Sequence, residues 1–211
     1  MHCHTQHPLS SNVRGLAWRL LFKRLSSEGR FIYSVINGTS LLYLNINRHN
    51  GGFWYNGLRM KLTSSTFKDG GVILGKYSRD QANINPPLSW ANVPAGTKSF
   101  ALIMEDPDVP RTAGVSVWDH WVVFNIPPTI TQIPEGWKVV GIKGAGTRGE
   151  LEYAGPRPPD REHRYIFTLY ALDTLLSLPA GAAKPAVLAA MKTHILDKAV
   201  LVGRFSPFSK S

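Results

Sequence analysis

Cysteine is nearly absent from this sequence: Cys3 is the only one among 211 residues. A single cysteine excludes an intramolecular disulfide framework and is compatible with a reducing compartment. Long apolar runs are also missing, because no stretch approaches the roughly 18 consecutive apolar residues of a membrane-spanning helix. The most apolar early segment, residues 31–46, is interrupted by polar side chains. We therefore expect a cytoplasmic protein without integral membrane association.

Acidic residues are scarce at the start of the chain. Residues 1–59 contain seven Lys or Arg and one acid, Glu28, so they carry +6 of the total formal charge of +10. Residues 60–211 hold 17 basic and 13 acidic residues and are only mildly basic. They show no stripe of Lys and Arg interleaved with aromatic residues, the pattern typical of nucleic-acid binding. The sequence therefore predicts no nucleic-acid partner.

The two parts of the chain also differ in patterning. Residues 1–59 lack a repeating hydrophobic period, and we interpret them as an N-terminal extension, disordered or caused by a mis-assigned start, with Met60 as the true translation start. A targeting leader is an alternative, because residues 14–25 could form a short basic amphipathic helix. A signal peptide is a further one. From Met60 onward the sequence is regular, and 60–211 is long enough for one well-packed domain.

Short runs of apolar and β-branched residues, separated by turn residues, predict strands in this domain. Residues 83–90 form an extended segment whose prolines argue against a central position in a sheet. Residues 99–104 are continuously apolar and predict a strand that is buried on both faces. The remaining predicted strands are 72–74, 120–126, 164–172 and 199–205.

One helix is predicted near the C-terminus. Pro185 suits a first helical turn, and apolar residues recur at helical spacing through 185–196. Many short strands and few helices predict a mostly β sandwich, with the helix covering a sheet.

Three short polar stretches lie beside the predicted strands. Residues 105–110 have the sequence EDPDVP, residues 117–121 are VWDHW, and residues 162–165 are EHRY. A glycine–proline stretch, GPRPP at 155–159, precedes the third. Strand ends hold loop-borne groups rigidly, so we expect these stretches to meet in one pocket.

With these motifs the chain resembles the phosphatidylethanolamine-binding proteins, in particular their prokaryotic Raf-kinase-inhibitor-like branch, from about Met60 to Ser206. The resemblance implies two antiparallel sheets with a few peripheral helices, including a C-terminal one, and a small anion-binding pocket. Carried over by motif, the ligand-binding residues are Asp106, Asp108, His120, Gly155, Pro156, Pro158, Pro159, His163 and Tyr165. Which of the prolines lines the pocket stays open, because the spacing from Pro159 to His163 is shorter than is usual in the family.

The chemistry of this set suits an anion. Imidazoles and a phenol can donate to phosphate oxygens, and an adjacent carboxylate decides which ring nitrogen carries the proton. Structural roles are the alternative: turn capping for Asp106 and Asp108, core positions for His120, His163 and Tyr165, and pairing with a structural acid for Arg164. Asp119 and His194 are interpreted as structural.

We interpret the chain as a binding protein for phosphoryl or carboxylate headgroups, from phospholipids or phosphorylated ligands. Two alternatives stay open: a regulator or inhibitor of a kinase or protease acting through the same pocket, and a hydrolase using His120 or His163 as general base. The sequence has no Gly-x-Ser-x-Gly elbow and no Walker-type phosphate loop. It also lacks a His-x-x-x-His or Cys-x-x-Cys pair, so no enzyme activity, metal or cofactor is predicted. The physiological ligand and oligomeric state are left open.

Overall fold

A computed structural model describes residues 59–138 and 140–208, together with the backbone of four earlier strands. The chain divides into two units, residues 1–58 and 59–211. This division lies one residue from the predicted boundary between 59 and 60. The predicted mis-assigned start at Met60 stays a prediction.

The first unit contains a four-stranded antiparallel sheet in the order β1-β2-β3-β4. The sequence did not predict these strands. Residues 1–18 and the connections between the strands lie outside the described residues, whereas the alternative helix at 14–25 overlaps strand β1. The four strands are β1 (Arg19–Arg24), β2 (Phe31–Asn37), β3 (Ser40–His49) and β4 (Gly52–Tyr55).

The second unit is mostly β, as predicted, and its described residues include one α-helix and two short 3-10 helices at Gly75–Tyr77 and Arg111–Ala113. Its first strands are β5 (Lys61–Thr63), β6 (Gly71–Val72), β7 (Leu88–Ala91), β8 (Ser99–Asp106) and β9 (Trp118–Ile126). The others are β10 (Gln132–Ile133), β11 (Ile142–Lys143), β12 (His163–Leu172) and β13 (Ile195–Phe205), and helix α1 spans Lys184–Met191.

The strands of this unit form two sheets. The three-stranded sheet has the order β10-β7-β5, and the six-stranded sheet has the order β11-β9-β8-β12-β13-β6. All pairs in the larger sheet are antiparallel except β13 with β6, which is parallel. The predicted antiparallel sandwich is therefore confirmed apart from this one edge pair.

The predicted position of the proline-rich segment was wrong. Strand β7 is the central strand of the three-stranded sheet. Pro86 and Pro87 lie just before it, so they remove no donor from its ladder. Leu88 and Trp90 alternate inward as buried residues.

The longest predicted strands are confirmed. Residues 99–104 of β8 are buried on both faces because alternate side chains pack into two different apolar clusters, one on each side of the sheet. The predicted helix was too long: α1 ends at Met191, and Ile195 already belongs to β13. The apolar residues 195 and 196 match a helical spacing, but β13 pairs with β12 as far as Ile195.

Two apolar clusters fill the unit. The larger includes Tyr77, Phe100, Tyr165 and Phe167, all fully buried. The smaller packs Val187 and Met191 of α1 against the opposite face of β8 and β9. Because strands β8, β9 and β12 are fixed from both faces, the residues at their ends are held rigidly. None of the helices in the described part of the chain combines the length and apolar character needed to cross a bilayer.

Candidate anion-binding site

The ends of three neighbouring strands of the larger sheet border one open cavity of about 860 Å³. Asp106 ends β8, His120 lies near the start of β9 and His163 begins β12. The charged or ionisable residues of the cavity wall are Arg79, Asp80, Asp106, His120, Arg148, Arg157 and His163. The apolar residues are Val109, Pro110, Ala113, Trp118, Pro158, Pro159, Phe205, Pro207 and Phe208, and Thr112 adds a hydroxyl.

Asp106 is a buried carboxylate with both oxygens engaged. Its Oδ1 accepts a hydrogen bond from the backbone N–H of Asp108 at 2.8 Å. Its Oδ2 lies 2.8 Å from Nδ1 of His163. The first contact is the turn-capping interaction that was the structural alternative for this residue. The second fixes the orientation of the His163 ring, so Asp106 serves both roles.

His163 is held between two carboxylates. Nδ1 contacts Asp106, and Nε2 lies 2.9 Å from Oδ1 of Asp160. A ring with one N–H can donate to only one of these oxygens, whereas the doubly protonated, cationic ring donates to both. The His163 hydrogen bond lowers the pKa of Asp160 below its usual value. The two carboxylates therefore hold the His163 ring in one orientation at the cavity wall.

His120 has a different environment. Its Nδ1 lies 2.7 Å from the carbonyl oxygen of Ala154, which can only accept, so Nδ1 carries a proton. Burial lowers the pKa of His120 below 6.5, while the Ala154 contact and the charge of Asp106 oppose this shift. The ring is then neutral near pH 7. Nε2 has no hydrogen-bond partner among the described residues and is the nitrogen left for a ligand.

Tyr165 packs edge-on against the His120 ring, with the ring centroids 5.2 Å apart. Its hydroxyl is buried without a hydrogen-bond partner in the described part of the chain. Burial and then the charge of Asp106 raise the pKa of Tyr165 well above its usual value, so the phenol keeps its proton. Tyr165 does not line the cavity itself; it supports the ring that does.

Asp108 points away from the cavity wall and binds Arg164. Arg164 donates from Nε and Nη2 to the two carboxylate oxygens at 2.8 Å each, and from its backbone N–H at 2.9 Å. These contacts lower the pKa of Asp108 to about 2. Arg164 was expected to pair with a structural acid. That acid is Asp108, which was itself predicted to bind the ligand.

Gly155 and Pro156 are buried behind the cavity wall. A Cβ on Gly155 would lie 2.0 Å from the carbonyl oxygen of Tyr77, so only glycine fits this close approach. The Gly155 N–H also donates to Oδ1 of Asn83 at 2.8 Å. Of the three prolines in the GPRPP motif, Pro158 and Pro159 border the cavity and Pro156 does not.

Five of the nine predicted residues therefore line the cavity, and four lie outside its wall. The three arginines of the cavity wall were not predicted from the sequence. Arg79 is paired with Glu150 and Arg157 with Asp80. Arg157 lies within the GPRPP motif and could have been found there, whereas Arg79 and Arg148 come from distant segments without a motif.

Comparisons with known proteins identify the family of the chain. The family model described as phosphatidylethanolamine-binding protein matches residues 63–206. The chain belongs to the phosphatidylethanolamine-binding protein family. A UPF0098 protein of Methanothermobacter thermautotrophicus is 47% identical over 152 residues, covering 69% of this chain and 98% of that protein. A UPF0098 protein of Chlamydia muridarum is 44% identical over 147 residues, with the same coverage of both chains.

Two solved structures of this family resemble the chain. The homolog CT736 from Chlamydia trachomatis has a TM-score of 0.68 at 42% identity, covering 72% of this chain and 99% of its own. YbcL of E. coli has a TM-score of 0.65 at 28% identity, again with 72% and 99% coverage. Within the described residues, no group of three or more His, Cys, Asp or Glu side chains is arranged to hold a metal ion.

Proposed function

We propose that this chain binds anionic headgroups, phosphoryl or carboxylate, in the cavity between His120 and His163. One observation carries the proposal: two histidines, three arginines and two aspartates line one open cavity. Guanidinium and imidazolium groups are the donors that phosphate oxygens prefer. The family model's description, phosphatidylethanolamine-binding protein, supports this ligand class.

Arg148 is the arginine best placed to meet a ligand. Arg79 and Arg157 are already neutralised by ion pairs at 2.8 and 2.9 Å. The Arg148 guanidinium instead lies 5.0 Å above the Trp118 ring. No carboxylate lies within ion-pair distance of it among the described residues. A cation positioned on an aromatic ring keeps its edge free to donate to an anion.

The apolar part of the wall indicates that the anion carries an organic group. Trp118, Phe205 and Phe208 face the cavity beside the charged residues. A phospholipid-derived headgroup or a phosphorylated small molecule has both an anionic group and an organic part, and the wall has residues suited to each. The regulation of a kinase or protease through this pocket stays a prediction, as does a cytoplasmic location.

We favour binding over catalysis. His163 has both ring nitrogens in contact with carboxylates, so neither is placed to take a proton from a bound substrate. His120 has a free Nε2, but the one hydroxyl side chain among the described residues of the cavity wall is the exposed Thr112. A histidine without an oriented nucleophile supports ligand binding better than hydrolysis.

Calorimetric titration of the full chain with phosphoethanolamine tests the proposal. We expect His120→Gln and Arg148→Gln each to weaken binding by about 1–2 kcal/mol, the scale of a hydrogen bond involving a charged group. Arg111→Gln is the matched control, because Arg111 is exposed and does not line the cavity. Equal affinities for the three variants and the wild type would overturn the proposed site.

A further inference from the structure

His163 borders the cavity but is closed to a ligand in this structure. Its side chain is 0% exposed. Asp106 engages one ring nitrogen and Asp160 engages the other. An anion can therefore reach a donor on His163 only if one of these carboxylates moves.

The two carboxylates differ in how firmly they are held. The Asp106 side chain is 4% exposed and caps the turn that follows β8. The Asp160 side chain is 46% exposed and lies in a bend of the loop before β12. Asp160 can turn toward solvent without breaking a turn contact, whereas Asp106 cannot, because it also accepts from the backbone N–H of Asp108. Asp160 is thus the carboxylate that can give way.

Asp160 is held as a bound anion would be held. Its Oδ1 accepts from Nε2 of His163 at 2.9 Å, and its Oδ2 lies 3.3 Å from Nη1 of Arg161. Nη1 is also 3.3 Å from the His163 ring nitrogen and from the backbone oxygen of Asp108. An imidazole and a guanidinium therefore converge on one carboxylate, an arrangement that suits phosphoryl oxygens equally well.

We propose that the Asp160 carboxylate is a built-in competitor for the anion site, and that a ligand binds by displacing it from His163 and Arg161. The inference rests on the proposed function and adds two residues to it. Asp160 sets the affinity by occupying the donors, and Arg161 becomes a ligand-binding residue once Asp160 has moved.

Two effects of Asp160 oppose each other, and their sizes can be compared. Its contact with Nε2 helps to orient the His163 ring, which helps anion binding. Its carboxylate also blocks the donors and repels an incoming anion. The buried Asp106 continues to hold the ring when Asp160 is removed, because a contact with a buried partner is screened far less than one with an exposed partner. Competition is therefore the larger effect.

The test is calorimetric titration of the full chain with inorganic phosphate at one fixed pH. We expect Asp160→Asn and Asp160→Ala to bind phosphate about two- to fivefold more tightly, the range for release of an exposed ion pair. Arg161→Gln should weaken binding by a similar factor. The matched control is Glu162→Gln, which removes the same charge two residues away, where Glu162 pairs with Arg204 at 3.0 Å. We expect it to change the affinity less than either Asp160 variant.

The outcomes separate this inference from the proposed function. Unchanged or weaker binding in both Asp160 variants, with phosphate still bound by the wild type, would overturn the competitor role alone. An equal gain in Glu162→Gln would reduce the effect to general charge and would also overturn it. No phosphate binding in any variant, together with no response of the His120 ring signals, would overturn the proposed function as well.

Discussion

His120 and His163 border the same cavity, yet different partners hold their rings. His163 lies between the carboxylates of Asp106 and Asp160, which fix the orientation of its ring. His120 donates to a backbone carbonyl, and burial lowers its pKa so that it is neutral near pH 7. Both nitrogens of the His163 ring are therefore engaged by side chains, while the His120 ring keeps Nε2 free for a ligand. The hydrogen-bond partners of each histidine, and not the residue type, determine its role in the cavity.

The largest expected effect comes from removing the carboxylate that holds His163. Asp106→Ala removes a buried carboxylate that holds Nδ1 of His163 and caps the turn after β8. Leaving the buried His163 ring and the turn without this partner should cost about 3 kcal/mol in the free energy of unfolding, the upper end of the penalty for an unpartnered buried polar group. Chemical denaturation measures this change. A loss below about 1 kcal/mol would show that Asp106 does not hold His163.

A substitution that shifts the backbone next to Ala154 is expected to displace the His120 ring. Gly155→Ala would place a methyl group against the carbonyl oxygen of Tyr77, which lies 2.0 Å from the position of its Cβ. The backbone must shift at Gly155, next to the Ala154 carbonyl that holds His120. We expect a loss of about 2–3 kcal/mol on unfolding, as for an overpacked core. The ring signals of His120 should shift while those of His163 stay in place; the reverse pattern would contradict this assignment.

A smaller effect is expected at the second aspartate of the loop. Asp108→Ala removes the carboxylate that Arg164 binds with both Nε and Nη2. The side chain of Arg164 is 56% exposed, so solvent screening limits the loss to about 1 kcal/mol. Because the pKa of Asp108 is about 2, the wild-type advantage should persist at pH 5 and disappear as the pH falls through 4 toward 2. Phosphate affinity should be unchanged, and a marked loss would return Asp108 to the site.

The smallest effect is the pH response of His120. Its pKa in the folded chain lies below the ordinary value of 6.5, so the unfolded chain binds more protons in the intervening range. Its neutral form contributes fully to stability above pH 6.5, and this contribution falls as the pH drops below that value. Denaturation at pH 7.5 and pH 5.5 should show a smaller decrease for His120→Gln than for the wild type. Identical decreases would mean that His120 is not buried as a neutral ring.

Much of this architecture could be predicted from local sequence. Strands β8, β9 and β12 are continuous apolar runs, and their ends carry Asp106, His120 and His163. Local patterns were misleading where two structures share a spacing. Ile195 and Leu196 fitted the period of the helix, but pairing with β12 placed them in β13.

Contacts between distant residues could not be predicted from motifs. Arg79 and Arg148 reach the cavity from separate loops, and nothing in their local sequence indicates a site. The His163–Asp160 contact joins residues three apart, but its meaning depends on Asp106, which is 57 residues away. Only the folded sheet shows that both His163 nitrogens are occupied while one in His120 is free.

The most direct measurement is an NMR titration of the full chain with phosphoethanolamine, following the imidazole signals of individual histidines. His194 is an internal control, because it pairs with Asp173 at 2.8 Å and does not line the cavity. We predict saturable shifts at His120 and His163 with one common dissociation constant, and none at His194. Shifts at neither cavity histidine in a folded sample, or equal shifts at all three, would contradict an anion site between the two rings.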